Sequence, residues 1–140
     1  SADDANFLLI YSAQSPAVSA WVRTHYPDQA GRPETVAADN YLKDGAQLDL
    51  AGMHFQLIAT PGHTKGSCCY YMEKEKVLFA GDTLFEGSVG RTDFPTGSMG
   101  RLVHSIKERL LVLPEDTIVY PGHGDETTIA DEKKYNPYCQ

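Results

Sequence analysis

From Tyr41 onward, apolar and polar residues alternate with a period of two, the spacing of half-buried strands. Gln47–Leu50 reads as a short strand set between the turns Asp44-Gly45 and Ala51-Gly52. Met53–Ala59 follows, with Met53, Phe55, Leu57 and Ala59 sharing a face. Cys68–Met72 and Val77–Ala80 are two further strands, joined by the charged, solvated tip Glu73-Lys74-Glu75-Lys76. Val77-Leu78-Phe79-Ala80 is apolar throughout and predicts a strand buried on both faces. Thr117–Tyr120 is the last strand of the pattern.

Helical spacing accounts for other stretches. Leu102, Ile106, Leu110 and Leu113 form a stripe that predicts a helix from Met99 to Leu111, capped by Ser98. Residues 1–26 read as two helical stretches, the second entered through Ser15-Pro16 and running over Ala17–His25. Pro27 to Asn40 is polar and broken by Gly31 and Pro33, a loop. A short helix is expected near Ile129–Lys134. Four glycines and Pro95 between Gly87 and Gly100 predict a structured loop there. The expectation is one partial domain over 1–140, with a helical lead-in and loop at 1–40 and a sheet at 41–140.

Composition narrows the function classes. The 140 residues are 41% hydrophobic and 22% charged, as in ordinary globular proteins. A net charge of −7 argues against a nucleic-acid partner, because phosphate backbones are bound by clustered Lys and Arg. No apolar run is long enough to span a bilayer, and no leader pattern is evident, so no membrane partner and a cytoplasmic setting are expected. Cys68 and Cys69 are chain neighbours pointing to opposite faces, and with Cys139 they read as reduced structural thiols. The start at Ser1 rather than Met makes a piece of a longer protein the expectation.

Candidate chemistry gathers where strands end. His63 follows Met53–Ala59 in Thr60-Pro61-Gly62-His63, Asp82 follows Val77–Ala80 in Gly81-Asp82-Thr83, and His123 follows Thr117–Tyr120 in Pro121-Gly122-His123. If the three strands run the same way in one sheet, these exits share an edge, where scaffolds present reactive groups. Two imidazoles and a carboxylate suit Zn²⁺, Fe²⁺ or Mn²⁺. The glycine beside each ligand permits close backbone approach, and each proline stiffens its turn. Alone, each turn has a bland structural reading; together they point to a metal.

T-P-G-H-T-K-G-S at 60–67, G-D-T-L-F at 81–85, G-R-T-D-F at 90–94 and P-G-H-G at 121–124 resemble the metallo-β-lactamase superfamily, in its short glyoxalase II-like branch of thiolester hydrolases. The resemblance runs from about Tyr41 to the chain's end. It implies an α/β fold, the C-terminal half of an αββα sandwich with a mixed β-sheet covered by helices. It also implies two metal ions, zinc first, with iron or manganese as alternatives. His63 then completes one metal site, His123 completes the other, and Asp82 bridges them as the catalytic carboxylate. Thr83 is expected to orient Asp82 with its hydroxyl. In such a site the metals activate water and polarise the carbonyl it attacks. The implied substrate is a small acyl-thiol such as a hydroxyacyl-glutathione.

One departure is large. The family's upstream His-x-His-x-Asp-His motif is absent, since no two of His25, His54, His63, His104 and His123 stand two residues apart. Each metal position keeps only two ligands, His63 with Asp82 or Asp82 with His123, where catalytic zinc normally has three. The chain alone is therefore expected to hold metal weakly or not at all and to be inactive. Arg91 either pairs with Asp93 or meets an anionic substrate group. His54 and His104 read as solvated. The G-R-T-D-F block also occurs in the mononuclear-iron persulfide dioxygenases of the superfamily, which stand as an alternative. A third reading is a non-catalytic half-domain that self-associates through an exposed apolar sheet face or binds a partner.

Overall fold

The computed structural model describes residues 43–50 and 52–140. The helical stretches and loop expected within residues 1–40 lie outside the described residues. The period-two segments form a six-stranded sheet of β1 (Gln47–Leu50), β2 (Met53–Ala59), β3 (Cys68–Met72), β4 (Val77–Gly81), β7 (Ile118–Pro121) and β8 (Thr127–Thr128), in that order. A separate hairpin pairs β5 (Leu84–Phe85) with β6 (Ser88–Val89). The chain then enters helix α1 (Met99–Ser105), which continues as a π-helical turn over Ile106–Leu110. Helix α2 (Ile129–Tyr135) and a 3₁₀ turn (Pro137–Cys139) follow β8.

The pairing is mixed. β2 and β4 each run antiparallel to β3, so they run the same way as each other, and β7 lies parallel to β4. A parallel neighbour needs a long crossover, which the segment containing α1 provides. The three strands carrying candidate ligands therefore exit along one edge, the condition on which the sequence reading rested.

Both faces of the sheet are packed. On one, Ile58, Cys69, Tyr71, Leu78, Ala80 and Val119 meet Leu102, Ile106 and Leu110 of the α1 segment and Ile129 of α2. On the other, Phe79 lies 6.1 Å from Phe55 and 5.8 Å from Tyr120 between ring centroids. This corrects the one-faced reading of β2, in which Ile58 is buried as well as Phe55 and Leu57, because the α1 segment covers the second face. Phe55, Leu57 and Phe79 are buried on this face.

Two further departures have local causes. β5–β6 and β8 have two residues per strand, too short to show a period, and β6 falls in the stretch expected as loop. The α1 stripe repeats every four residues, whereas an α-helix turns in roughly 3.6, so an α-helical stripe would drift around the axis. The wider π turn, closed by the Leu111 N–H donating to the Ile106 carbonyl at 2.9 Å, keeps Leu102, Ile106 and Leu110 all fully buried. Burial pushes the Cys69 thiol up to about 12 and Cys139 to about 11, and all three cysteines are free, as expected of structural residues.

Asp44 anchors the end of β2. It takes two bonds from Arg109, at 2.9 and 3.0 Å, and one from the Ala59 N–H at 2.9 Å. The Arg109 guanidinium, then the Ala59 N–H, hold the Asp44 carboxyl below its ordinary 3.8. The ionised form is thus favoured in the folded chain, and its contribution is complete above the ordinary value and lost as pH falls through the lowered one. Asp44→Asn is expected to cost up to about 1 kcal/mol at about pH 7, a figure limited by exposure of the pair. In urea unfolding, the difference from the native chain should shrink as pH falls below the ordinary value and through the lowered one.

Candidate metal centre

The turn Thr60–His63 is pinned to α1 from two sides. The Ser98 N–H donates to the Gly62 carbonyl at 2.7 Å, and Ser105 Oγ donates to the Pro61 carbonyl at 2.8 Å. Ser98 also caps the helix, its Oγ accepting from the Arg101 N–H. The second Pro-Gly-His turn is tied to the Gly81-Asp82 turn by the Gly122 N–H donating to the Gly81 carbonyl at 2.6 Å. Here a glycine is required: a Cβ at position 122 would lie 2.5 Å from Asp82 Oδ1.

These ties bring His63, Asp82 and His123 together. His63 Nε2 stands 3.5 Å from Asp82 Oδ2, and His123 Nδ1 stands 2.8 Å from Asp82 Oδ1. The two imidazoles thus face different oxygens of one carboxylate. His63 is mostly buried, at 15% side-chain exposure, while His123 is 72% exposed. His63 Nδ1 donates to the Arg91 carbonyl at 2.7 Å, which leaves Nε2 directed at Asp82. The Phe94 ring meets His63 edge-on, with centroids 5.1 Å apart and planes at 89°. The Phe85 ring centroid lies 6.2 Å from that of His123.

The donor set fits a metal on structural grounds. Asp82 Oδ1 is buried and receives no directed hydrogen bond, since His123 Nδ1 is close but off the bonding direction. A buried oxygen left this way is costly, and a cation beside it would remove the cost. An imidazole whose other nitrogen donates to a backbone carbonyl is the usual posture of a metal-ligating histidine. Among the described residues, however, no three His, Cys, Asp or Glu side chains close around one ion position. His63 with Asp82 would hold one ion and Asp82 with His123 another, two ligands each.

Thr83 departs from the sequence reading, and Arg91 takes the ion-pair alternative of the two left open. Thr83 does not serve Asp82: it is 1% exposed, and its hydroxyl lies 3.2 Å from that of Thr60, which also approaches Cys69. The Arg91 side chain pairs with Asp93 at 2.6 and 2.7 Å and lies 4.5 Å above the Phe94 ring centroid. What Arg91 gives the centre is its backbone carbonyl, a contribution that no residue type announces. Gly90 was also missed as a site residue; a Cβ there would collide with the Asp82 carbonyl. His54 and His104 are exposed, as expected.

Comparison with known proteins agrees with this geometry. The chain is 42% identical over 118 residues to hydroxyacylglutathione hydrolase GloC of Haemophilus influenzae, covering 80% of this chain and 56% of GloC. Among solved structures it is similar to the BLEG-1 B3 metallo-β-lactamase, with TM-score 0.71 and 38% identity, over 94% of this chain and 62% of that one. It is also similar to TTHA1623, solved in a di-iron-bound form, with TM-score 0.67 and 32% identity, over 89% and 63% of the two chains. The chain spans about half the length of the curated relatives it matches. No helix among the described residues is long and apolar enough to cross a membrane. The family model of the metallo-β-lactamase superfamily matches residues 9–123, and with the strand-exit histidines flanking Asp82 the chain belongs to that superfamily.

Proposed function

We propose that the intact protein is a metal-dependent hydrolase of small acyl-thiols, a hydroxyacyl-glutathione thiolester being the leading substrate class. The observation that carries this reading is a single carboxylate, Asp82, with an imidazole at each oxygen. It supports two ion positions sharing one ligand, and the likeness to GloC supports the thiolester class. Zinc is the first candidate metal, with iron and manganese as alternatives. When bound, the metals supply water acidification and carbonyl polarisation. This chain's own part is to hold the imidazoles in place, His63 through the Arg91 carbonyl and His123 beside Phe85. Arg91 and Phe94, exposed next to His63, are proposed to receive an anionic or apolar part of the substrate.

The isolated 140 residues are proposed to be inactive, because each ion position has two ligands. The test expresses the protein from its full reading frame, measures metal content and follows thiolester cleavage. Two metals per chain with cleavage support the reading. One iron per chain with persulfide oxidation replaces it with the dioxygenase alternative. A metal-loaded protein that leaves acyl-thiols intact refutes it.

A further inference from the structure

We propose that Glu132 and Asn136, on α2 and at its end, are positioning residues for His123, acting through a buried polar clamp. The proposal rests on His123 being a metal ligand, as read above. Glu132 is 2% exposed, and a buried carboxylate is costly unless its lone pairs are filled. Three neutral donors fill them. The Gly87 N–H reaches Oε1 at 2.7 Å, Asn136 Nδ2 reaches the same oxygen at 3.1 Å, and Thr127 Oγ1 donates to Oε2 at 2.6 Å. Asn136 is fully buried and uses the same Nδ2 group on the carbonyls of Ser88 at 2.9 Å and Phe85 at 3.4 Å.

Besides Asn136, the donors come from two segments that border His123. Gly87, Phe85 and Ser88 belong to the β5–β6 hairpin, whose Phe85 ring stands beside the imidazole. Thr127 opens β8, the strand that ends the loop carrying His123. His123 itself is 72% exposed, so its own packing does little to fix its ring. Its position is set on one side by the Gly122 bond to Gly81 and on the other by the loop's anchorage at Thr127 and by Phe85, and Glu132 bonds to the segments that bear these last two. An apolar side chain would fill the same volume but would leave the Gly87 N–H and the Thr127 hydroxyl without their Glu132 partner and take one of three acceptors from the Asn136 amide.

The experiment uses the ¹⁵N-labelled 140-residue chain without metal and records long-range ¹H–¹⁵N spectra of the imidazoles, followed by Zn²⁺ titration. Glu132→Ala is expected to move the His123 ring signals, leave those of His63 in place and weaken Zn²⁺ binding about tenfold. Glu132→Gln should restore both, because its carbonyl replaces Oε1 and its amide donates to a Thr127 hydroxyl turned acceptor. A folded Glu132→Ala chain with His123 unmoved, or with His63 moved as far as His123, overturns the proposal. If Glu132→Ala does not fold, Thr127→Val keeps the shape and cuts one arm, and an unmoved His123 there is equally fatal. Failure of the native chain to bind Zn²⁺, with His123 still following Glu132, leaves the clamp standing, whereas failure of the full-length protein to bind it refutes the metal reading.

Discussion

Asp82→Asn is expected to abolish the weak zinc uptake of this chain without lowering its melting temperature. Asp82 is the one ligand common to both ion positions, with His63 on one oxygen and His123 on the other. Its loss leaves a single imidazole at each. The fall in affinity should exceed the roughly 10–100-fold caused by changing a ligand's hydrogen-bond partners. Stability should respond differently. Oδ1 is buried without a directed hydrogen bond, a state that costs roughly 1–3 kcal/mol, and the neutral amide carries less of that burden. Held or improved stability with lost binding is the mark of a group kept for function. Isothermal titration and thermal unfolding in chelator measure the two arms. A large fall in melting temperature would make Asp82 a structural anchor, and near-native zinc affinity would place the ions elsewhere.

Gly90→Ala is expected to destabilise the chain by about 3 kcal/mol or more, at or beyond the upper end of ordinary overpacking. A Cβ at position 90 would lie 1.8 Å from the Asp82 carbonyl oxygen and 3.2 Å from His63 Nδ1. The first obstacle is backbone and has no rotamer to yield. The same methyl would therefore spread Asp82 from His63, so metal affinity should fall with stability. Gly100→Ala provides the contrast. Gly100 sits in α1 with nothing within 4 Å of the added carbon, and the substitution should stabilise by roughly 0.5–1 kcal/mol. Urea unfolding of the two variants decides the matter: similar values for both would mean that residue 90 does not approach Asp82 as closely as described.

Much of the fold was legible because its signals are local. Alternation marked β2, the continuous apolar run marked β4 as buried on both faces, and the Ser98 cap with its apolar stripe marked the α1 segment. Gly and Pro at strand exits marked the turns that carry His63 and His123, since backbone restrictions of those residues act within a few positions. The short β5–β6 and β8 strands escaped because two residues carry no period.

By itself, then, the sequence determined the longer elements, the Pro-Gly turns and the three side chains offered at strand ends, all set by chemistry between near neighbours along the chain. Tertiary structure decided what those offers amount to. Whether β2, β4 and β7 run in one direction depends on pairings across tens of residues, and only that direction places His63, Asp82 and His123 on one edge. The bond from His63 to the Arg91 carbonyl spans 28 residues and uses an atom that every residue type possesses. Thr83 turned inward to Thr60, and Glu132 was enclosed by donors from the hairpin and β8. Such contacts depend on where distant backbone arrives in space, which no local pattern of residue types encodes.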